Sequence, residues 1–204
     1  MTQKTIEEKI TAIVVRRGRG SVFFGTEFLN VGHPAAVRQA LSRLTRAGTI
    51  RRIGTALYHY PEVNNKLGGE LPPPADAVAR AIARRTDSRI VATGALAANL
   101  LGLSTQVPAK RVYLTNGPSR NITVGSYSLS FRHVSPRRMS VKGESSAMVF
   151  EALRYLKQEN MTEEAVTRLR RALPPEAKAQ LRRDLQHATI WMRPFVERIL
   201  SKKS

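Results

Sequence analysis

Apolar residues in the N-terminal third of the chain recur first at helical and then at strand spacing. Ile6, Ile10, Ile13 and Val14 make one stripe, which predicts a helix over Thr5–Arg17 with Glu7 and Glu8 favouring its N-terminal turn. Gly18 and Gly20 interrupt it. Val22 and Phe23 predict a short strand. Thr26 to Leu29 predicts a short helix with Phe28 and Leu29 packed inward, and Asn30–Gly32 a turn. Pro34 then stands where a helix tolerates a missing N–H. Val37, Ala40, Leu41 and Leu44 follow at i, i+3, i+4 and i+7, and Gly48 stops the run. Ile50, Ile53, Leu57, Tyr58 and Tyr60 predict two short strands turning at Gly54-Thr55.

The polar positions give this order its meaning. Arg38, Gln39, Ser42, Arg43 and Arg46 lie off the apolar face of the Pro34 helix, and Arg51 and Arg52 lie on the hairpin. No acidic residue falls between His33 and Tyr60. Helix, strand, helix, turn, helix, hairpin is the order of a winged helix-turn-helix domain. A helix fits the major groove, so Arg38, Gln39, Ser42 and Arg43 are expected to reach base edges. Arg19, Arg46, Arg51 and Arg52 are expected to hold phosphates of double-stranded DNA. The competing reading is an amphipathic helix with a solvated charged face. For the cluster Arg16, Arg17 and Arg19, a solvated helix-ending turn competes equally with a phosphate-contacting corner.

Pro61 to Pro74, with Gly68-Gly69 and Pro72-Pro73-Pro74, predicts a stiff linker. The expected division is a DNA-binding domain over 1–70 and a C-terminal domain over 75–204. The latter opens with a helix from Asp76 burying Val78, Ala81 and Ile82, made basic by Arg80, Arg84, Arg85 and Arg89. Thr93–Leu103 is small and apolar all round and predicts a buried helix ended by Gly102. Arg111–Thr115, Ile122–Val124 and Tyr127–His133 predict strands, with a turn at Asn116-Gly117-Pro118 and another at Gly125-Ser126. Helices are expected over Ser146–Gln158, Thr162–Leu173, Pro175–Ala188 and Ile190–Leu200. The fold class is α+β: an N-terminal winged helix-turn-helix domain followed by a mixed α/β C-terminal domain ending in helices.

Charge sharpens the choice of partner. The 204 residues carry a net charge of +19, distributed as +6 over 1–70, +9 over 71–142 and +4 over 143–204. Such an excess concerns partners rather than fold. Nucleic acid leads, with an anionic membrane surface second. The middle segment suggests a basic C-terminal surface formed by Arg111, Arg120, Arg132, Arg137, Arg138 and Lys142; solubility alone is the competing explanation. With no cysteine, disulfides, thiolate catalysis and thiolate zinc sites are excluded, and a reducing cytoplasm is compatible. The first apolar run, Ile10–Val15, is too short for a signal peptide, and no run is long enough to span a bilayer. His33, His59, His133 and His187 lack metal-ligand spacing, and Glu163-Glu164 sits at a helix start. The run Thr115–Ser119 matches no phosphate loop. Neither an enzyme, a metal nor a cofactor is expected.

Two blocks together resemble the AbiEi-type antitoxins of bacterial type IV toxin–antitoxin and phage-defence systems. One is Val37–Leu44, then Gly48–Arg52 and Tyr58-His59-Tyr60-Pro61. The other is Thr93–Leu103 followed by Arg111–Thr115. The resemblance covers roughly residues 5–160, although the hairpin here reads Ile53-Gly54-Thr55-Ala56-Leu57 in place of an arginine-glycine-aromatic pattern. It implies an N-terminal domain that binds inverted repeats in its own promoter and represses its operon. It also implies a C-terminal domain that counters a nucleotidyltransferase-type toxin, often without a stable complex. The chain is expected to be cytoplasmic, a monomer in solution that pairs on DNA. Rival readings are an RNA-binding or protein-inhibiting module working through the basic second domain, and a plain regulator sensing a ligand near Tyr113 and Arg120.

Overall fold

The computed structural model describes residues 4–124 and 127–201, without the side chains of Leu67, Tyr127 and Arg137. Eight α-helices and three small sheets are present among them, so the chain is α+β. No helix among the described residues is long and apolar enough to cross a membrane. The chain divides into two compact units, Met1–Asp87 with Thr123–Ser126, and Ser88–Ile122 with Tyr127–Ser204.

In the first unit, α1 (Ile6–Arg17) starts at a reciprocal cap: Glu8 N–H donates to Thr5 Oγ1 at 3.2 Å, and Thr5 N–H to Glu8 Oε2 at 2.8 Å. Strand β1 (Val22–Phe24) leads through a 3-10 turn at Gly25–Phe28 to α2 (Pro34–Arg46). The predicted stripe Val37, Ala40, Leu41 and Leu44 is buried. His33 caps α2 by accepting the Ala35 N–H on Nδ1 at 3.3 Å, and Gly48 takes a left-handed φ of 75° beyond its end. Strands β2 (Arg51–Gly54) and β3 (Leu57–His59) form a hairpin, and β1 adds antiparallel to β3, giving the order β1-β3-β2. Ile10, Val14, Phe23, Phe28, Leu41 and Ile50 fill the core, with Phe23 and Phe28 edge-to-face at 5.2 Å. Phe28 packs inward as expected. Leu29 does not: it is 49% exposed, because a residue adjacent to a core residue on a tight turn points away from the core.

The segment expected to be a linker holds a small hairpin of β4 (Val63–Asn64) and β5 (Gly69–Glu70). After the proline triplet, α3 (Ala75–Arg85) buries Val78, Ala81 and Ile82, as the periodicity predicts. It packs on β1 within the first unit. The Arg84 guanidinium donates to the Val22 carbonyl at 2.8 Å, and that of Arg85 lies 4.6 Å from the Phe24 ring centre. The sequence suggests a break at Pro72–Pro74; the compact units divide after Asp87.

The second unit is built on a four-stranded sheet. Strand β6 (Ile90–Ala92) was not anticipated from the sequence. It is followed by α4 (Gly94–Leu100), β7 (Lys110–Thr115), β8 (Arg120–Val124) and β9 (Tyr127–His133), in spatial order β6-β7-β9-β8. β6 and β7 are antiparallel, β7 and β9 parallel. The expected turn at Gly125-Ser126 lies outside the described residues. Helix α5 (Glu144–Leu156) packs along α4 and buries Val149, Phe150, Ala152 and Leu153. Helices α6 (Glu163–Ala172), α7 (Pro175–Asp184) and α8 (Arg193–Leu200) complete the unit. Thr162 caps α6 by accepting the Ala165 N–H at 3.2 Å.

Candidate nucleic-acid interface

Helix α2 owes its position to its apolar face. Once Val37, Ala40, Leu41 and Leu44 are buried, Ala35, Arg38, Gln39, Ser42, Arg43 and Arg46 are left exposed. At about 3.6 residues per turn, Ala35, Ser42 and Arg46 run along the middle of this arc. The flanks differ. Arg38 and Ser42 border a groove of about 500 Å³ shared with Thr26, Leu29, Tyr58 and Arg52. Gln39 and Arg43 border a second hollow of about 400 Å³ against Thr5, Ile6 and Glu7 of the α1 segment. The residues expected to read bases are thus together on one exposed surface, divided between its two edges.

The expected cations are not equivalent. Arg38 and Arg46 make no hydrogen bond or ion pair among the described residues. Arg52 is exposed on β2 and donates from Nε to the Gly54 carbonyl at 3.3 Å. Arg43 is engaged, its Nη1 lying 2.8 Å from Glu7 Oε1. Arg51 is held by Glu70 through both Nε, at 2.8 Å, and Nη2. Arg19 donates to the Pro61 carbonyl at 2.9 Å and lies 5.0 Å from the Tyr60 ring centre, so it ties the chain leaving β3 to the start of β1. In the same corner, Arg17 pairs with Glu27 at 2.8 Å. The acids absent from the sequence between His33 and Tyr60 therefore return in space, as Glu7 beside α2 and Glu70 beside β2. Glu7, Glu70, Leu29 and Tyr58 are the site residues that sequence reasoning passed over. For Leu29 a signal existed, since it falls out of phase with the core residues around it.

His59, on β3, is 2% exposed. Burial pushes its pKa below the ordinary histidine value, and the Glu70 carboxylate pulls it partly back. Its Nε2 has no hydrogen-bond partner among the described residues.

In the second unit the suggested basic residues do not form one surface. Side chains alternate along a strand, and the register aligns Arg111 with Leu129 and Tyr113 with Phe131. The Arg120 guanidinium lies 5.4 Å from the Phe131 ring centre, on that same face. Arg132, next to Phe131, projects from the opposite face. Arg138 approaches the buried Glu151 at 3.7 Å, Lys142 is exposed, and the Arg137 side chain lies outside the described residues. Tyr113 is 1% exposed and stacked on Phe131 at 5.8 Å, so it belongs to the core rather than to an open ligand pocket. Arg89 lies beyond α3 and is structural: its guanidinium donates to the carbonyls of Met139 at 2.8 Å, Lys142 at 3.0 Å and Val141.

The histidines have local roles. His33 caps α2, His59 is buried in β3, the His133 ring nitrogen Nδ1 lies 2.9 Å from the Gly117 carbonyl, and His187 neighbours Asp184. Among the described residues, no group of three or more His, Cys, Asp or Glu residues could hold a metal ion.

Comparison with curated proteins gives no match. The model of a family of unknown function, DUF6088, matches residues 6–181, which is most of the chain and both of its compact units, and the protein therefore belongs to that family.

Proposed function

We propose that the first unit is a winged helix that binds duplex DNA in a sequence-dependent way, with α2 as recognition helix and the β2–β3 hairpin as wing. The chain would be an autorepressor and antitoxin of the type its AbiEi resemblance implies. The observation carrying this reading is the exposed arc of α2. Two unpaired guanidiniums stand on it, Arg38 at one margin and Arg46 in line with the small residues Ala35 and Ser42, and Arg52 of the hairpin shares a groove with Arg38. Ala35 and Ser42 allow the helix to approach the floor of the major groove, while Arg38 at its margin and Arg46 at its C-terminal end reach base edges or phosphates. Arg52 supplies a backbone contact from the wing. Arg43 and Arg51 join only by leaving Glu7 and Glu70, which makes them weaker contributors than Arg38, Arg46 and Arg52.

The promoter role and the toxin-countering role of the second unit rest on the resemblance alone. The scatter of Arg111, Arg120 and Arg132 over both sheet faces gives less support to RNA binding by a single basic surface.

The test titrates the full chain against the DNA upstream of its own coding region and against a scrambled duplex, at two salt concentrations. A preference for the upstream DNA that survives the higher salt supports autorepression. Equal binding to both duplexes that collapses with salt means only a phosphate contribution, and refutes it. For the antitoxin role, growth arrest on expressing the neighbouring gene should be relieved by co-expressing this chain; persistent arrest refutes that half.

A further inference from the structure

The groove between α2 and the hairpin has a composition that phosphate binding does not explain. Its walls are Leu29, Pro34, Val37 and Tyr58, and its rim carries Arg38 and Arg52. Leu29 is nearly half exposed there. Gly25 opens the floor: a Cβ at that position would stand 3.0 Å from Leu41 Cδ1 and 3.5 Å from the Tyr58 ring. The result is an apolar recess of about 500 Å³ with a guanidinium on either side. A fitting occupant presents apolar surface to the walls and negative charge to the rim.

We propose that this recess reads thymine, with Leu29 and Pro34 receiving the 5-methyl group of a base next to the one Arg38 contacts. The proposal rests on the winged-helix reading and specifies its substrate as thymine-containing DNA. The chemistry is selective. In B-form DNA the thymine methyl projects into the major groove, where α2 would lie, and it is the one apolar group among the base edges there. The phosphates flanking that base step supply the charge for Arg52, and the neighbouring base edge supplies acceptors for Arg38. RNA shares the phosphates but does not offer the methyl in an accessible groove, because uracil lacks it and the A-form major groove is too narrow and deep for side chains to read. The recess thus identifies DNA as well as a base.

The experiment amplifies the upstream region once with thymidine and once with deoxyuridine triphosphate, then measures full-chain binding to each and to a scrambled thymidine duplex. Leu29→Ala serves as the paired variant; its side chain is exposed, so folding is not at stake. The wild type should bind the deoxyuridine duplex about fourfold more weakly for each methyl received, the factor corresponding to ~0.8 kcal/mol per buried methyl group. Leu29→Ala should bind the two upstream duplexes alike. Equal wild-type binding to both upstream duplexes overturns the proposal. So does an equal loss in wild type and Leu29→Ala, which would place the methyl contact elsewhere. A wild type that does not distinguish upstream from scrambled DNA refutes the promoter reading, and this proposal with it.

Discussion

Replacing Glu7 with glutamine should strengthen DNA binding, although Glu7 lies outside the arc assigned to DNA. In the free protein its carboxylate holds Arg43 at 2.8 Å, with the arginine side chain 59% and the glutamate side chain 34% exposed. An exposed pair of this kind is worth about 0.2–1 kcal/mol. Arg43 must give up that amount before it turns to a phosphate or base, and Glu7 also repels the incoming phosphates. Glu7→Gln removes both costs, so affinity for the upstream duplex should rise by up to about fivefold at low salt, the equivalent of ~1 kcal/mol. The gain should shrink as salt screens these charges. The fold should survive, since the loss is the pair plus a favourable helix-dipole contact of about 0.3–1 kcal/mol. Fluorescence anisotropy with a labelled duplex measures the change, and Glu7→Gln combined with Arg43→Ala should lose most of it. Unchanged or weaker binding by Glu7→Gln at low salt would refute the view that this ion pair opposes DNA.

Four further predictions concern stability. Burial pushes the Asp184 carboxyl up, but hydrogen bonds from Gln180 and the Gly143 N–H, together with the neighbouring Ser146 and His187, hold its pKa below the ordinary 3.8. Its contribution is therefore present above about pH 4 and lost as pH falls through the lower folded value; Asp184→Asn should cost about 1.5–3 kcal/mol by urea unfolding near neutral pH. A Cβ on Gly143 would stand 2.5 Å from Gln180 Cγ and 2.6 Å from Asp184 Oδ2, so Gly143→Ala should destabilise by about 1–3 kcal/mol and a neutral thermal scan would disprove the crowding. His59 takes its proton near pH 6.5 when unfolded and only at lower pH when buried; stability should fall as pH drops below about 6.5, and His59→Gln should flatten that slope. Arg89→Ala leaves three carbonyls without their guanidinium donor and should cost about 2 kcal/mol or more; an unaltered melting temperature would contradict that role.

How far the sequence could be read depended on how local the determining interaction is. Helix α2 was legible because its apolar residues, its opening proline and the glycine beyond its end all lie within one short stretch. The acidic first turns of α1 and α6 were legible for the same reason. Arg43 and Glu7 are 36 residues apart, and Arg51 and Glu70 are 19 apart; no periodicity links such positions, so both arginines read as free. Strand β6 is only three residues long, too short for alternation to establish. The basic residues of the second unit drew attention as a net charge, but charge in sequence says nothing about which sheet face a side chain takes. Helix α3 was legible as a helix, whereas its packing partner was not, because the apolar face that would accept it is β1, far upstream.

That placement of α3 has a consequence for the chain's self-association. β1 is an outer strand of its sheet, and an outer strand offers unpaired backbone groups to any other extended chain. Here α3 lies against it, and Arg84 occupies the Val22 carbonyl while Arg85 covers Phe24. A fragment ending at the proline triplet would keep the residues proposed to face DNA but bare a strand of Val22, Phe23 and Phe24. Such a fragment should pair edge to edge with its own copies and precipitate, whereas one extended through Asp87 should remain dispersed.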